Sequence, residues 1–140
     1  MSHDAFELGL HDLANAGVYA IGTADVGPLA ATLRDAGLRV SRIDLLDVSD
    51  KRTLLARMSA QLDFPAGSGG NWDALLDNLR DLGWLKADGH ALFLDQADSL
   101  RAGAGEAFDT LLEILDDASQ FWADREVPFW AFIALEHQDA

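Results

Sequence analysis

The stretch His90-Ala-Leu-Phe-Leu-Asp95 is a near-continuous apolar run with the length of a fully buried strand. The chain closes on a second run of this kind, Pro128-Phe-Trp-Ala-Phe-Ile-Ala-Leu135. Strands that are apolar at nearly every position are typical of parallel sheets, because helices cover both faces of such sheets. The two runs therefore predict an α/β fold built on a mostly parallel sheet.

Strand and helix patterns alternate on the N-terminal side of these runs. Val18-Tyr-Ala-Ile21 is a short β-favouring run, and residues 26–36 carry a helical pattern with Pro28 in its first turn and Gly37 just past its end. Residues 38–45 follow as a strand. Because strand, helix and strand follow one another, we expect a right-handed parallel crossover.

Three further helices are predicted. The first is capped by Ser49 or Asp50 and ends at Pro65, the second spans residues 71–82, and the third, residues 106–123, has the clearest amphipathic pattern. The resulting order βαβααβαβ indicates about four strands flanked by helices. With 140 residues, the chain has the usual size of a single domain, which we place at residues 1–140.

Acidic residues are concentrated in the second half of the chain. The sequence has 24 Asp and Glu against 10 Lys and Arg, a net charge of −14, of which −2 falls in residues 1–62 and −12 in residues 63–140. This potential repels phosphate and attracts basic proteins. We therefore expect a basic protein as partner, and no nucleic acid, nucleotide or anionic membrane. Solubility alone is the other explanation of such a charge.

The cellular compartment is indicated by the absence of cysteine and of long apolar segments from the sequence. Without cysteine there is no disulfide, thiol nucleophile or thiolate metal site. No apolar run approaches the roughly 18 residues that cross a bilayer, and Asp4 and Glu7 lie where a secretory signal would be basic and apolar. We expect a cytoplasmic protein.

Little in the sequence predicts catalysis, a metal or a cofactor. The segment Gly67-Ser-Gly-Gly-Asn71 lacks the lysine of a P-loop and the spacing of a dinucleotide fingerprint, and the four histidines are scattered. Asp44 and Asp95 end predicted strands, where doubly wound folds place their sites, although aspartate there is also a common turn residue. Asp73 and Asp77 could serve as the carboxylates of a hydrolase. An acid–base pair needs one carboxyl in an apolar environment and the other in a polar one, and no local apolar pattern predicts this difference.

Asp73, Asp77 and Asp81 form a stripe at helical spacing. Like charges one turn apart destabilise a helix by a few tenths of a kcal/mol per pair. The helix dipole favours only Asp73, and Arg80 can relieve only part of the repulsion. The stripe suggests a missing cationic partner, and a solvated acidic face is the alternative.

The segment Gly69-Gly-Asn-Trp-Asp-Ala-Leu-Leu-Asp77 resembles the loop-and-helix signature of the barstar family, the small acidic inhibitors of secreted microbial ribonucleases. The likeness extends over about residues 38–135 through the order of strands and helices. Residues 1–37 lie outside it and are expected to form an added N-terminal βα unit that extends the sheet.

In that family the loop and helix plug the active site of a basic ribonuclease. The resemblance implies that Asp77 takes the place of the RNA phosphate against catalytic basic residues, with Asp73 contacting a neighbouring basic residue. Asn71 and Gly69 would shape the loop. A later acid of the family matches Asp117, with Asp116 as the alternative register.

The signature also departs from the family. Gly67 and Ser68 replace two tyrosines, Gly70 replaces a glutamate, Leu76 replaces a tryptophan, and Trp72 replaces a leucine. Aromatic anchors often dominate binding, so the departures leave the identity of the target open. Trp72 is the residue that could replace the missing aromatic anchors in binding. Its ring either flanks the stripe of aspartates or packs beneath the loop as part of the core.

The resemblance implies a non-enzymatic, intracellular inhibitor that blocks a basic ribonuclease or nuclease-like toxin through an acidic loop-helix surface. Two alternatives stay open. One is an acidic adaptor domain with a non-nuclease partner, and the other is a carboxylate-dependent hydrolase.

Overall fold

The computed structural model describes residues 16–64, 70–81 and 89–136. Strands and helices alternate along these residues, and a short 3-10 turn, Thr23–Asp25, follows the first strand. The elements are β1 (Val18–Gly22), α1 (Val26–Asp35), β2 (Arg39–Asp44), α2 (Lys51–Gln61), α3 (Trp72–Arg80), β3 (His90–Asp95), α4 (Asp98–Gly103), α5 (Gly105–Ala123) and β4 (Phe129–Leu135).

The four strands form one sheet in the order β1-β4-β3-β2, and every neighbouring pair is parallel. In the central pair, Leu92 of β3 is in register with Ala131 of β4. The N-terminal unit adds β1 at one edge, beside β4, and α1 then leads to β2 at the opposite edge. The predicted α/β fold is confirmed, and the sheet is wholly parallel.

Helices cover both faces of the sheet, which explains why β3 and β4 are apolar at nearly every position. Leu92 and Leu94 of β3 point into a first core formed with α2, α3, α4 and α5. Ala91 and Phe93 point into a second core formed with α1. Because a strand sends alternate side chains to opposite faces, a strand between two cores has no polar face.

Two helix ends match the sequence prediction closely. The Asp50 carboxylate caps α2 by accepting a hydrogen bond from the Thr53 N–H, 2.7 Å away. Gly37, directly after the C-cap residue Ala36 of α1, has a φ of +93°, a value that L side chains rarely adopt.

Two predictions of local structure were wrong. Helix α3 ends at Arg80 with Asp81 as its C-cap, so Asp81 does not continue the helical stripe, and Leu82 lies outside the described residues. Helix α4 has no counterpart in the predicted order. It has only six residues, too few for a periodic pattern, and it ends at Gly103, where an added Cβ would lie 3.0 Å from the Cβ of Ser49. Among the described helices, none is long and apolar enough to span a membrane.

His90 is buried at the start of β3, only 3% exposed. Its ring lies against Trp122 and Phe129, at centroid distances of 5.6 and 6.5 Å. Burial, helped by the nearby Arg39 guanidinium, lowers the pKa of His90 to about 4. The neutral imidazole is therefore the form that the folded protein accommodates.

We expect stability to fall as the pH drops through the interval from 6.5 to 4. An unfolded histidine takes up a proton near pH 6.5, whereas His90 in the folded protein resists protonation until about pH 4. Urea unfolding at pH 7 and pH 5 should show a loss on the order of 1 kcal/mol that a His90→Leu variant lacks. An equal loss in both proteins would assign the effect to other groups.

Candidate functional site

Helix α3 forms because one face is apolar and its first turn is capped. The Asn71 side chain accepts a hydrogen bond from the Ala74 N–H at 2.8 Å, which satisfies one of the free donors of the first turn. Leu75 and Leu79 are buried in the first core. This packing turns Asp73 to the opposite side of the helix, into solvent.

Asp73 and Asp77 are both exposed and lie one turn apart on α3. Within residues 16–64, 70–81 and 89–136, neither carboxylate has an ion-pair partner. The nearest arginine in sequence, Arg80, instead lies over the Phe121 ring, with its guanidinium carbon 5.5 Å from the ring centroid. Arg125 occupies the same ring at 3.6 Å. Both arginines are thus directed to α5, and the carboxylates of α3 stay unneutralised.

Helices α3 and α5 pack side by side. The Trp122 indole N–H donates to the Leu79 carbonyl at 2.8 Å and so satisfies a carbonyl in the last turn of α3. With Arg80 over Phe121, these contacts fix which flank of α5 faces α3.

The same contacts distinguish the positions of the two candidate acids of α5. Asp117 is exposed and lies four residues before Phe121, hence on the flank that faces α3. Asp116 is turned about 100° from Asp117, and its carboxylate accepts a hydrogen bond from the Gln120 amide at 3.0 Å. Asp73, Asp77 and Asp117 are therefore all exposed, on two helices that pack together. We define the acidic surface as the exposed acids on or directly after α3 and α5: Asp73, Asp77, Asp81, Glu106, Asp109, Glu113, Asp116, Asp117 and Asp124.

The glycines at positions 69 and 70 precede α3. Gly69 lies outside the described residues, whereas Gly70 is exposed. A Cβ at Gly70 would meet no heavy atom within 4 Å, and its φ is not in the left-handed region. The fold therefore does not require glycine at this position.

Trp72 is partly buried and packs against the first core. Trp72 also lines a groove, and the Lys51 ammonium lies 5.4 Å from the ring centroid. Trp72 is therefore only partly a core residue, and its role as an anchor stays a prediction. The lysine contact could not be predicted, because Lys51 belongs to another helix.

The other candidate residues have structural roles. The Asp44 carboxylate accepts a hydrogen bond from the Leu46 N–H at 2.9 Å, which is the geometry of a turn residue. Asp95 forms an ion pair with Arg42 at 2.8 Å. In the part of the chain that the structure describes, no cluster of His, Asp and Glu could hold a metal ion.

Loss of the α3 cap should be measurable on its own. We expect Asn71→Ala to lower the free energy of unfolding by about 1 kcal/mol, because the Ala74 N–H loses its acceptor. Asn71→Ser keeps an acceptor and should recover most of this loss, and Gly70→Ala should be nearly neutral. Urea unfolding of the three variants tests the assignment, and equal stabilities of Asn71→Ala and the parent protein would contradict it.

Comparisons with known proteins add two findings. A family model described as Barstar (barnase inhibitor) matches residues 38–134, more than half of the chain. Among solved structures, the chain is similar to the ORC2 protein of Aeropyrum pernix in its ADPNP-ADP complexes, with a TM-score of 0.58 and 16% identity. That likeness covers 96% of this chain but 40% of the ORC2 chain, and it shows the fold alone. No curated protein matches the sequence.

Proposed function

This chain belongs to the barstar family, and on that premise we propose that it binds and blocks a basic ribonuclease or nuclease-like toxin without being an enzyme itself. The observation that carries the proposal is the pair of exposed carboxylates, Asp73 and Asp77, with no ion-pair partner among the described residues. Both lie in the segment that matches the family. Such an inhibitor would act in the cytoplasm of the cell that it protects.

Inhibition would follow from charge mimicry. A ribonuclease binds the RNA phosphate with basic side chains, and the Asp77 carboxylate would occupy that position. Asp73 and Asp117 would contact neighbouring basic residues from the same side, and Asn71 would hold the first turn of α3 in place. The loop containing Gly69 would approach the enzyme closely, and Gly70 supports this role because the fold leaves open space around it.

The geometry of the carboxylates favours inhibition over hydrolysis. A hydrolytic pair needs one carboxyl in an apolar environment and the other in a polar one, inside a site that excludes water. Asp73 and Asp77 instead share one exposed helix face. An exposed helix face suits a protein partner better than a small substrate.

The chain lacks features that would bind a nucleotide such as the ADPNP and ADP of the ORC2 complexes at the turn between β1 and α1. In this chain the turn between β1 and α1 contains no lysine, and Asp25 is the N-cap of α1. A carboxylate at this helix terminus would repel a phosphate that the backbone N–H groups could otherwise bind.

A direct test is inhibition of RNA cleavage. Barnase and a panel of other basic ribonucleases are assayed on a fluorogenic RNA with increasing amounts of the full chain. We expect stoichiometric inhibition of at least one enzyme and a 1:1 complex in gel filtration. Binding of a basic protein without loss of cleavage would favour the adaptor alternative, and no binding to any member would contradict the proposal.

Association should be steered by charge. The acidic surface would attract a basic active site at low ionic strength, and added salt screens this attraction. Between 10 and 500 mM salt, where the screening length falls from about 30 Å to a few Å, the association rate in stopped flow should fall by at least about tenfold. A rate that does not change with salt would leave solubility as the only role of the charge.

A further inference from the structure

A groove opens beside Trp72, between the starts of α2, α3 and α5. Its volume is about 440 Å³, within the range of roughly 300–1,000 Å³ that proteins use for small ligands. Lys51 and Asp50 line it from α2, and Glu106 and Thr110 line it from α5. The groove begins one residue from Asp73, at the edge of the acidic surface.

The groove already holds a cation. The Lys51 ammonium lies 5.4 Å from the centroid of the Trp72 ring, within the distance of a cation–π contact. Glu106 and Asp50 both line the groove and are exposed. The Asp50 carboxylate is bonded to Thr53 as the cap of α2, so Glu106 supplies the carboxylate that a cation in the groove would pair with. An aromatic wall with carboxylates around it attracts a positive group and repels an anion.

We infer that this groove binds an arginine side chain of the partner, and that Lys51 occupies its place in the free protein. That the arginine belongs to a ribonuclease rests on the proposed function, in which basic side chains surround the active site of the partner. A guanidinium is planar, stacks on an indole and forms two hydrogen bonds with a carboxylate, so Trp72 and Glu106 suit it together.

An arginine could displace Lys51 from the Trp72 ring. Lys51 is exposed, and in the described ranges its side chain has no ion-pair partner. An ammonium is strongly hydrated and regains water when it leaves the ring, whereas a guanidinium is weakly hydrated and loses less on stacking. Lys51 therefore acts as a competitor that tunes how tightly the groove holds an arginine.

The test uses the full chain and a small probe, so that it does not depend on any ribonuclease. The probe is N-acetyl-arginine amide, and N-acetyl-citrulline amide is its uncharged control of nearly the same shape. The indole N–H signals of the four tryptophans are followed by NMR during each titration. We expect the Trp72 signal to move with the arginine probe and to stay in place with citrulline. Equal shifts with both probes, or no selective shift of Trp72, would overturn the inference.

A pair of variants tests the role of Lys51. Lys51→Ala should raise the affinity for the arginine probe by about two- to fivefold, the range set by one exposed cation–π contact. Arg52→Ala removes the same charge from the neighbouring residue, which does not line this groove, and should raise it less. Equal effects would mean that only net charge matters. A selective shift in a chain that inhibits no ribonuclease would reject the proposed function and leave the arginine groove standing.

Discussion

Asp77→Ala is expected to weaken binding to a ribonuclease partner by at least about thirtyfold, a loss of about 2 kcal/mol or more. Asp77 is exposed in the middle of α3, between Asp73 and the packed end of the helix, and has no ion-pair partner among the described residues. In a complex it would face buried basic groups. Removing the Asp77 carboxylate leaves those cations desolvated and unpaired, and this costs more binding free energy than the contact itself contributes.

The matched control is Asp109→Ala. Asp109 is also exposed and carries the same charge, but it lies in the first turns of α5, two turns before Asp117. Its loss should reduce binding only slightly, through the weaker long-range field. Titration calorimetry of both variants gives the comparison, and equal losses would reject α3 as the binding helix. Asp77→Ala should also unfold no earlier than the parent, because it relieves repulsion with Asp73.

Much of the fold could be predicted because it depends on local patterns. The apolar runs of β3 and β4 indicate strands buried on both faces, and the cap at Asp50 and the glycine at position 37 mark helix ends. The exposed position of Asp73 and Asp77 follows from the spacing of Leu75 and Leu79, which fixes the buried face of α3.

The details of the site depend on contacts between distant segments, and no sequence pattern contains them. The placement of Arg80 over Phe121 explains why the arginine does not neutralise α3, but these residues are far apart in the chain. Lys51 meets Trp72 for the same kind of reason. The position of Asp117, and not Asp116, on the flank of α5 that faces α3 also depends on the packing of α3 on α5, because both are acids on one amphipathic helix.

Trp72→Ala is expected to lower both stability and binding. The ring packs partly against the first core, so its removal should lower the free energy of unfolding by about 1–3 kcal/mol, less than the 3–5 kcal/mol of a fully buried aromatic residue. Its other side lines the groove beside Lys51. A binding loss of about tenfold or more is expected if the ring is an anchor for the partner.

Trp72→Leu separates the two roles. A leucine can fill much of the space against the first core, so it should recover most of the stability that alanine loses. It has no π face for a guanidinium, so binding should stay as weak as in the alanine variant. A protein with Trp72 as its single tryptophan would require replacing Trp122, which bonds to the Leu79 carbonyl, and Trp130, which is buried in the second core. Fluorescence quenching of such a protein is therefore unsuited to this question. Urea unfolding and titration calorimetry on the intact chain avoid that problem. If Trp72→Leu binds the partner as tightly as the parent protein, the indole is a packing residue and not an anchor.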